Sequence, residues 1–224
     1  MSYKEPYTEL LRINFLKYMR KAFQFLPEMK NPKILDLGCG SGLISLELAK
    51  LTDGIIHAID IDPTLLDKLN EKVKKRNLLQ KFRIQRINFL KNNFPNDYFD
   101  LIWEEGVVHI IGFKKSFKEC NRILKRGGFL VLGQSIKLME KNEALINECG
   151  YELIKQLNWS KGCWWNEFYG PLEIIIKEIH EGKKPNIFEN ISIIEEEIKW
   201  VKANPNDSDC AHYILRKKII EKGE

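Results

Sequence analysis

Long apolar runs, paired cysteines and low-complexity tracts are missing from this chain of 224 residues. Every apolar stretch is broken by charge well short of the roughly 18 residues a membrane span requires, so no membrane segment is expected. The opening ten residues, MSYKEPYTEL, are polar and contain no apolar signal core, and no secretion address is expected from them. Cys39, Cys120, Cys149, Cys163 and Cys210 are odd in number and form no Cys-x-x-Cys pair. That pattern argues against a disulfide framework or a zinc finger, so the expectation is reduced thiols, a cytoplasmic location and no bound metal. The net charge of +5 comes from charges of both signs interleaved along the chain. The basic runs at 74–76, 125–126 and 216–218 have no interleaved aromatics; they fit solvated element ends better than a nucleic-acid surface.

What remains is an ordinary globular composition, 44% hydrophobic and 30% charged. A domain of this length buries roughly 70% of its unfolded surface, so it folds without disulfides or a structural metal. Within residues 8–26, Leu11, Phe15, Met19 and Phe23 recur every four positions, the spacing of one helical face, which predicts a single amphipathic helix. Pro27 and Asn31-Pro32 end it. Strand-length apolar segments at 33–37, 54–59, 82–88, 99–103 and 128–132 then alternate with helical stretches at 43–50, 63–76 and 113–124. That rhythm implies a parallel sheet covered by helices on both faces. Its strands are nearly continuous apolar segments, as doubly buried strands are. Further on, the pattern predicts a helix at 136–149, a strand at 151–157, an aromatic cluster, two helical stretches ending near 180 and 201, and a last strand at 210–217.

The strongest local signal is Asp36-Leu37-Gly38-Cys39-Gly40-Ser41-Gly42, between a strand and a helix. Glycines there let the backbone turn tightly and approach a ligand with no Cβ in the way. The helix from Leu43 aims free N–H groups and its positive dipole end at the same point, which favours an anionic group by about 0.3–1 kcal/mol. A dinucleotide loop needs its third glycine one place later, where Leu43 stands, and no Gly-Lys-Ser/Thr completes a P-loop. Asp60 closes the next strand, 18 residues beyond Gly42, where an acidic side chain meets ribose hydroxyls in a βαβ unit. Asp62, immediately before Pro63, is a good N-cap for the following helix and leaves Asp60 free for a ligand.

These blocks resemble the class I S-adenosylmethionine-dependent methyltransferases. ILDLGCGSG is similar to the family's first motif, IHAIDIDPTLL to its second, and FPNDYFDLIWEEGVVHIIG with NRILKRGGFLVLGQ to its fourth strand, linking helix and fifth strand, in the family's order over residues 31–134. The resemblance implies an α/β, Rossmann-like three-layer sandwich with a mostly parallel seven-stranded sheet and an antiparallel last strand. It implies one domain over residues 1–224: an N-terminal helical cap at 1–30, a cofactor-binding core at 31–150, and a substrate-covering insertion at 158–209. The implied cofactor is S-adenosyl-L-methionine, with S-adenosyl-L-homocysteine as product. Asp36, Gly38, Cys39, Gly40 and Gly42 would surround its aminoacyl part, Asp60 would take the ribose hydroxyls, and Ile61 would lie against the adenine. Where many relatives place an aspartate for the adenine amino group, this chain has Asn88, followed by Phe89; the amide oxygen still accepts one hydrogen bond.

The fourth strand ends in Trp103-Glu104-Glu105-Gly106, where relatives place groups at the methionine end of the cofactor and at the substrate. Adjacent side chains on a strand face opposite ways, so one carboxylate looks into the cleft directly. The subgroup resembling ubiquinone- and menaquinone-biosynthesis methyltransferases carries Trp-x-Glu-Gly here. That singles out Glu105 to orient or deprotonate the acceptor, with Glu104 beside the cofactor. His109 is a second candidate base, or else a packed histidine. The string from Trp164 to Glu173 is similar to the subgroup's Trp-x-x-x-Tyr-Tyr-x-Pro-Leu segment. Trp164, Trp165 and Tyr169, with Tyr3, Tyr7 and Tyr18, either line the acceptor site or anchor the insertion. With no Pro-Pro pair and no cysteine after a proline, base-amine and cytosine-C5 transfer are disfavoured. The expected partner is a small-molecule methyl acceptor. An RNA or protein methyltransferase, a nicotinamide-dependent oxidoreductase and an inactive cofactor-binding protein are the alternatives.

Overall fold

In the computed structural model, residues 6–186, 188, 190–205 and 208–219 are described. Seven strands form one sheet: β1 (Lys33–Leu37), β2 (Ile55–Asp60), β3 (Phe82–Arg86), β4 (Phe99–Glu105), β5 (Leu124–Ser135), β6 (Tyr151–Asn158) and β7 (Cys210–Lys217). Their order is β3-β2-β1-β4-β5-β7-β6. The first five are mutually parallel, with β1, β2 and β4 buried nearly throughout and the edge strand β3 alternating, and β7 slots antiparallel between β5 and β6. The fold is the expected Rossmann-like α/β sandwich with an antiparallel last strand.

Alternation along the strands divides the core in two. Ile34, Leu101, Trp103, Val131 and Ile214 face α2 (Leu16–Phe23), α3 (Leu43–Leu51) and α4 (Pro63–Lys75). Leu35, Leu37, Ile102, Leu130 and Leu132 face α5 (Val108–Ile111), α6 (Phe113–Ile123), α7 (Ile136–Glu140) and α8 (Ala144–Glu148). The chain leaves β1 toward β2 on one side and β4 toward β5 on the other. Between β1 and β4 it therefore opens a crevice at the carboxyl ends of the strands, the usual ligand position of such sheets.

The single helix predicted for 8–26 is divided into α1 (Pro6–Arg12), a 3-10 turn at Ile13–Phe15, and α2. One helical face cannot satisfy both neighbours. α1 meets a π-helical turn at Trp165–Tyr169 and α9 (Gly170–His180), whereas α2 meets β7. The tighter turn lets Phe15 drop between Trp159 and Trp164, at centroid distances of 5.4 and 4.6 Å. The helix predicted for 136–149 is likewise divided, around Asn142, whose amide donates back to Leu138 O at 2.8 Å. Asp62 caps α4 as expected, accepting from Thr64 N at 2.9 Å.

A third apolar cluster joins the N-terminal cap to the insertion. It comprises Phe15 and Tyr18 from the cap, with Cys163, Phe168, Tyr169 and Leu172, and Ile198 and Val201 of α10 (Ile191–Ala203). Tyr18 stacks on Trp159 with centroids 4.9 Å apart, and its hydroxyl donates to Glu167 at 2.6 Å. Cap and insertion thus pack together through one apolar cluster.

Candidate functional site

The turn after β1 has positive φ at Gly38, Gly40 and Gly42, of 72°, 52° and 87°. The three glycines serve different ends. A Cβ on Gly38 would collide with Val107 and one on Gly42 with Leu69, so both let the turn pack against neighbouring elements. At Gly40 the nearest atom to a Cβ lies 4.0 Å away, so this backbone faces open space. Asp60, at the end of β2, binds the turn directly: Oδ2 accepts from Gly40 N at 2.8 Å and Oδ1 from Asp62 N at 2.9 Å. A carboxylate pinned by two backbone donors still has acceptor capacity for a diol. Ile61 beside it is 67% exposed, an apolar surface at the mouth of the crevice.

Asp36 is buried and accepts from Ser45 Oγ, bracing the turn against α3 from below. Burial, with Glu105 and Asp60 nearby, pushes its carboxyl up to about 7. Cys39 is buried and its thiol is pushed far up by burial, which makes it inert. Asn88 is exposed and turns its side chain inward to accept from Leu90 N at 3.1 Å, while Phe89 packs into the core beneath. The polar group at this corner is thus Asn88; the Phe89 ring is structural.

The two glutamates of β4 face opposite ways, and the structure separates their roles. Glu104 is fully buried on the α5–α6 face, where it accepts from Val107 N, from Val108 N at 2.9 Å and from Gln134 Nε2 at 3.1 Å. It caps the start of α5 and does not reach the crevice, which corrects its expected place beside the cofactor. Burial pushes its carboxyl up to about 7. His109, exposed on α5, hydrogen-bonds the same Gln134 and so lies on Glu104's side of the sheet. Exposed as it is, it is not the packed histidine weighed as the alternative to a base.

Glu105 faces the other way, toward Asp36 and α1. Its Oε1 accepts from Trp103 Nε1 at 2.9 Å and meets His212 Nε2 at 2.7 Å. Burial alone would raise this carboxyl, but His212, Trp103 and the Arg12 guanidinium together hold it below the usual carboxylate range. A Cβ on Gly133, its cross-strand partner, would collide with Oε2.

Tyr7, Trp164, Trp165 and Tyr169 all lie in the cap–insertion cluster. Trp164 donates to Cys210 Sγ at 3.2 Å, Trp165 sits under Lys202 with Nζ 5.1 Å from its centroid, and Tyr7 packs on Phe188 at 5.9 Å. Anchoring of the insertion is visible for each of them. Tyr3 lies outside the described residues.

Sequence reasoning missed His212, Trp159, Gly133 and the Glu9–Lys72 pair. Gly133 had a signal, since an isolated glycine inside a strand marks a close approach. For His212 none was available, because only the β5–β7 register sets it opposite Gly133. Glu9 on α1 accepts from Ser41 Oγ at 3.0 Å and pairs with Lys72 of α4, which also donates to Ser41 O at 3.0 Å. Among the described residues, no group of three His, Cys, Asp or Glu side chains could hold a metal ion, and no helix is long and apolar enough to cross a membrane.

Comparison with known proteins adds to this geometry. Residues 35–132 match the family described as methyltransferase domain. The sterol 24-C-methyltransferase of Aspergillus fumigatus is 29% identical over 97 residues, 43% of this chain and 26% of that protein. The 27-O-demethylrifamycin SV methyltransferase of Amycolatopsis mediterranei is 25% identical over 109 residues, 48% of this chain and 40% of that one. The chain spans less than half the length of the curated relatives it matches. Among solved structures, a putative sarcosine dimethylglycine methyltransferase from Galdieria sulphuraria superposes with a TM-score of 0.73 at 18% identity, covering 93% of this chain and 86% of that one. The Haemonchus contortus phosphoethanolamine N-methyltransferase 2, solved with S-adenosyl-L-methionine, gives 0.71 at 16% identity, covering 92% and 53%. A cyclase shares the fold equally well, with a TM-score of 0.72, so the fold leaves the reaction to the site.

Proposed function

We propose, from the match of residues 35–132 to the family described as methyltransferase domain, that this chain moves a methyl group from S-adenosyl-L-methionine to a small-molecule acceptor. The observation that carries the proposal is Asp60 bonded into the glycine turn at Gly40, at the strand-order switch, with Glu105 turned toward the same crevice from the neighbouring element.

The residues fit the donor. Gly40 offers a backbone with no side chain in the way, Asp60 has acceptor capacity for a ribose diol, and Ile61 and Asn88 offer an apolar surface and an amide for an adenine. When bound, the donor supplies a sulfonium-activated methyl group; the chain's contribution is alignment. Near-attack positioning is worth about 7–11 kcal/mol of the barrier. The aromatic cap–insertion unit excludes water, and exclusion favours loss of the sulfonium charge in the transition state. Glu105, held low, is a weak base, so it orients the acceptor rather than stripping its proton.

The names of the relatives, which include sterol, rifamycin and phosphoethanolamine methyltransferases, support a small acceptor over RNA or protein. The unpaired cysteines support a cytoplasmic setting. The test is calorimetry with S-adenosyl-L-methionine, followed by a screen of amines, phenols, quinols and thiols for uptake of its labelled methyl group. Heat with the donor and label in one acceptor class are expected; no heat would overturn the reading.

A further inference from the structure

We propose that His212 is a positioning residue: held by Trp159 as a singly protonated imidazole, it fixes Glu105 so that Oε2 is presented to an acceptor bearing an N–H or O–H group. This rests on the reading of Glu105 above and names the residue that makes that reading work.

The proton assignment follows from the chain of contacts. Trp159 Nε1 lies 2.9 Å from His212 Nδ1, and an indole nitrogen can only donate. Nδ1 therefore presents its lone pair, and the ring proton sits on Nε2. That nitrogen is 2.7 Å from Glu105 Oε1, so His212 donates to the carboxylate. Trp103 Nε1, at 2.9 Å, donates to the same oxygen. Trp159 thus sets the tautomer that His212 presents to the carboxylate.

The frame around this chain is rigid. His212 is 1% exposed, with its ring 5.6 Å from Trp103 and 5.2 Å from Trp159. Glu105, Gly133 and His212 are cross-strand neighbours on β4, β5 and β7, in one row on one face of the sheet. The missing Cβ at Gly133 leaves room for Oε2. Both donors converge on Oε1, while Oε2 lies over Gly133 and the side chain, with the Arg12 guanidinium acting on it, keeps 15% exposure. An oxygen so placed selects acceptors that can donate a hydrogen bond, such as an amine or a hydroxyl, over bare carbon acceptors.

The charged and titratable groups facing the pair are Asp36 on β1, Arg12 at the end of α1, and Cys210 on β7. The experiment uses the full chain without ligand. Nitrogen-15 NMR of the histidines should show the His212 proton on Nε2 and the lone pair on Nδ1, and carbon-13 NMR should show the Glu105 carboxyl titrating below an ordinary glutamate. His212→Met, which keeps bulk but removes the donor, should raise the Glu105 midpoint; His212→Gln should restore it. Trp159→Phe should free Nδ1 and let the His212 proton sit on either ring nitrogen. With the donor and the acceptor found in the screen, His212→Met should lower kcat roughly tenfold or more with an unchanged KM for S-adenosyl-L-methionine, and His212→Gln should recover most of it.

A proton on Nδ1, or a Glu105 midpoint unmoved in His212→Met, overturns the network. Equal kcat in the wild type and His212→Met overturns its catalytic role. Should His212→Met fail to fold, the tautomers of the wild type and of Trp159→Phe decide the network, and Trp159→Phe turnover decides the role. Absence of heat with S-adenosyl-L-methionine would instead remove the methyl-transfer reading, and the catalytic role with it, while the NMR result on the network stands.

Discussion

Glu9 on the first helix accepts a hydrogen bond from Ser41 in the glycine turn, so the N-terminal cap is tied to the donor loop itself. Lys72 of α4 completes the link by pairing with Glu9 and donating to the carbonyl of Ser41. Partly exposed pairs of this kind contribute about 0.2–1 kcal/mol. Glu9→Ala should therefore leave thermal stability nearly unchanged and release S-adenosyl-L-homocysteine roughly two- to fivefold faster in stopped-flow displacement. An unchanged release rate would mean that α1 does not guard the donor.

Asp60 and Asp62 separate ligand binding from stability. Asp60→Asn removes the charge that would receive two ribose hydroxyls, and bonds to charged groups are worth about 1.5–3 kcal/mol. Donor affinity measured by calorimetry should fall roughly ten- to a hundredfold. Asp62→Ala removes the cap that accepts from Thr64 N and should cost about 0.5–2 kcal/mol of stability with donor affinity intact.

Gly133→Ala should force the Glu105 carboxylate aside, because the new methyl group occupies the place of Oε2. Overpacking of this kind costs about 1–3 kcal/mol. Turnover should drop more than tenfold while donor binding persists, which calorimetry and the methyl-transfer assay would resolve.

Two buried groups give opposite pH slopes to stability. Glu104, raised by burial to about 7 from an ordinary 4.5, keeps its proton in the fold after the unfolded chain has released it. Its contribution is complete below about 4.5 and is lost as pH rises through about 7, so Glu104→Gln should gain on the wild type in urea unfolding at pH 8 relative to pH 5.

His57 runs the other way. Rings of Phe94, Tyr98 and Phe99 surround it edge-on at 5.2–6.0 Å, and burial lowers it from 6.5 to about 4. As pH falls below about 6.5 the unfolded chain takes up the proton first, and stability drops toward pH 4. His57→Phe should flatten that acid slope; an unchanged slope would show that the ring is already solvated.

The donor half of the site was legible because it is local. Gly38, Gly40 and Gly42 are adjacent in sequence, and Asp60 ends the next strand, so strand–turn–helix spacing places them together. The alternation rule also separated Glu104 from Glu105, although the resemblance drew Glu104 toward the cofactor and the structure puts it under α5. What could not be read depends on pairings far apart in the chain. Trp159 reaches His212 across 53 positions, and Glu105 reaches His212 across 107. The aromatic string was visible as composition. Its docking against Phe15, which breaks the first helix, depended on contacts that helical periodicity does not encode.

Because β7 enters the sheet between β5 and β6, the residue that steadies Glu105 is made 107 positions after it. A nascent chain already has the glycine turn and its aspartate at hand by residue 60, yet Glu105 waits for β7 before it meets His212.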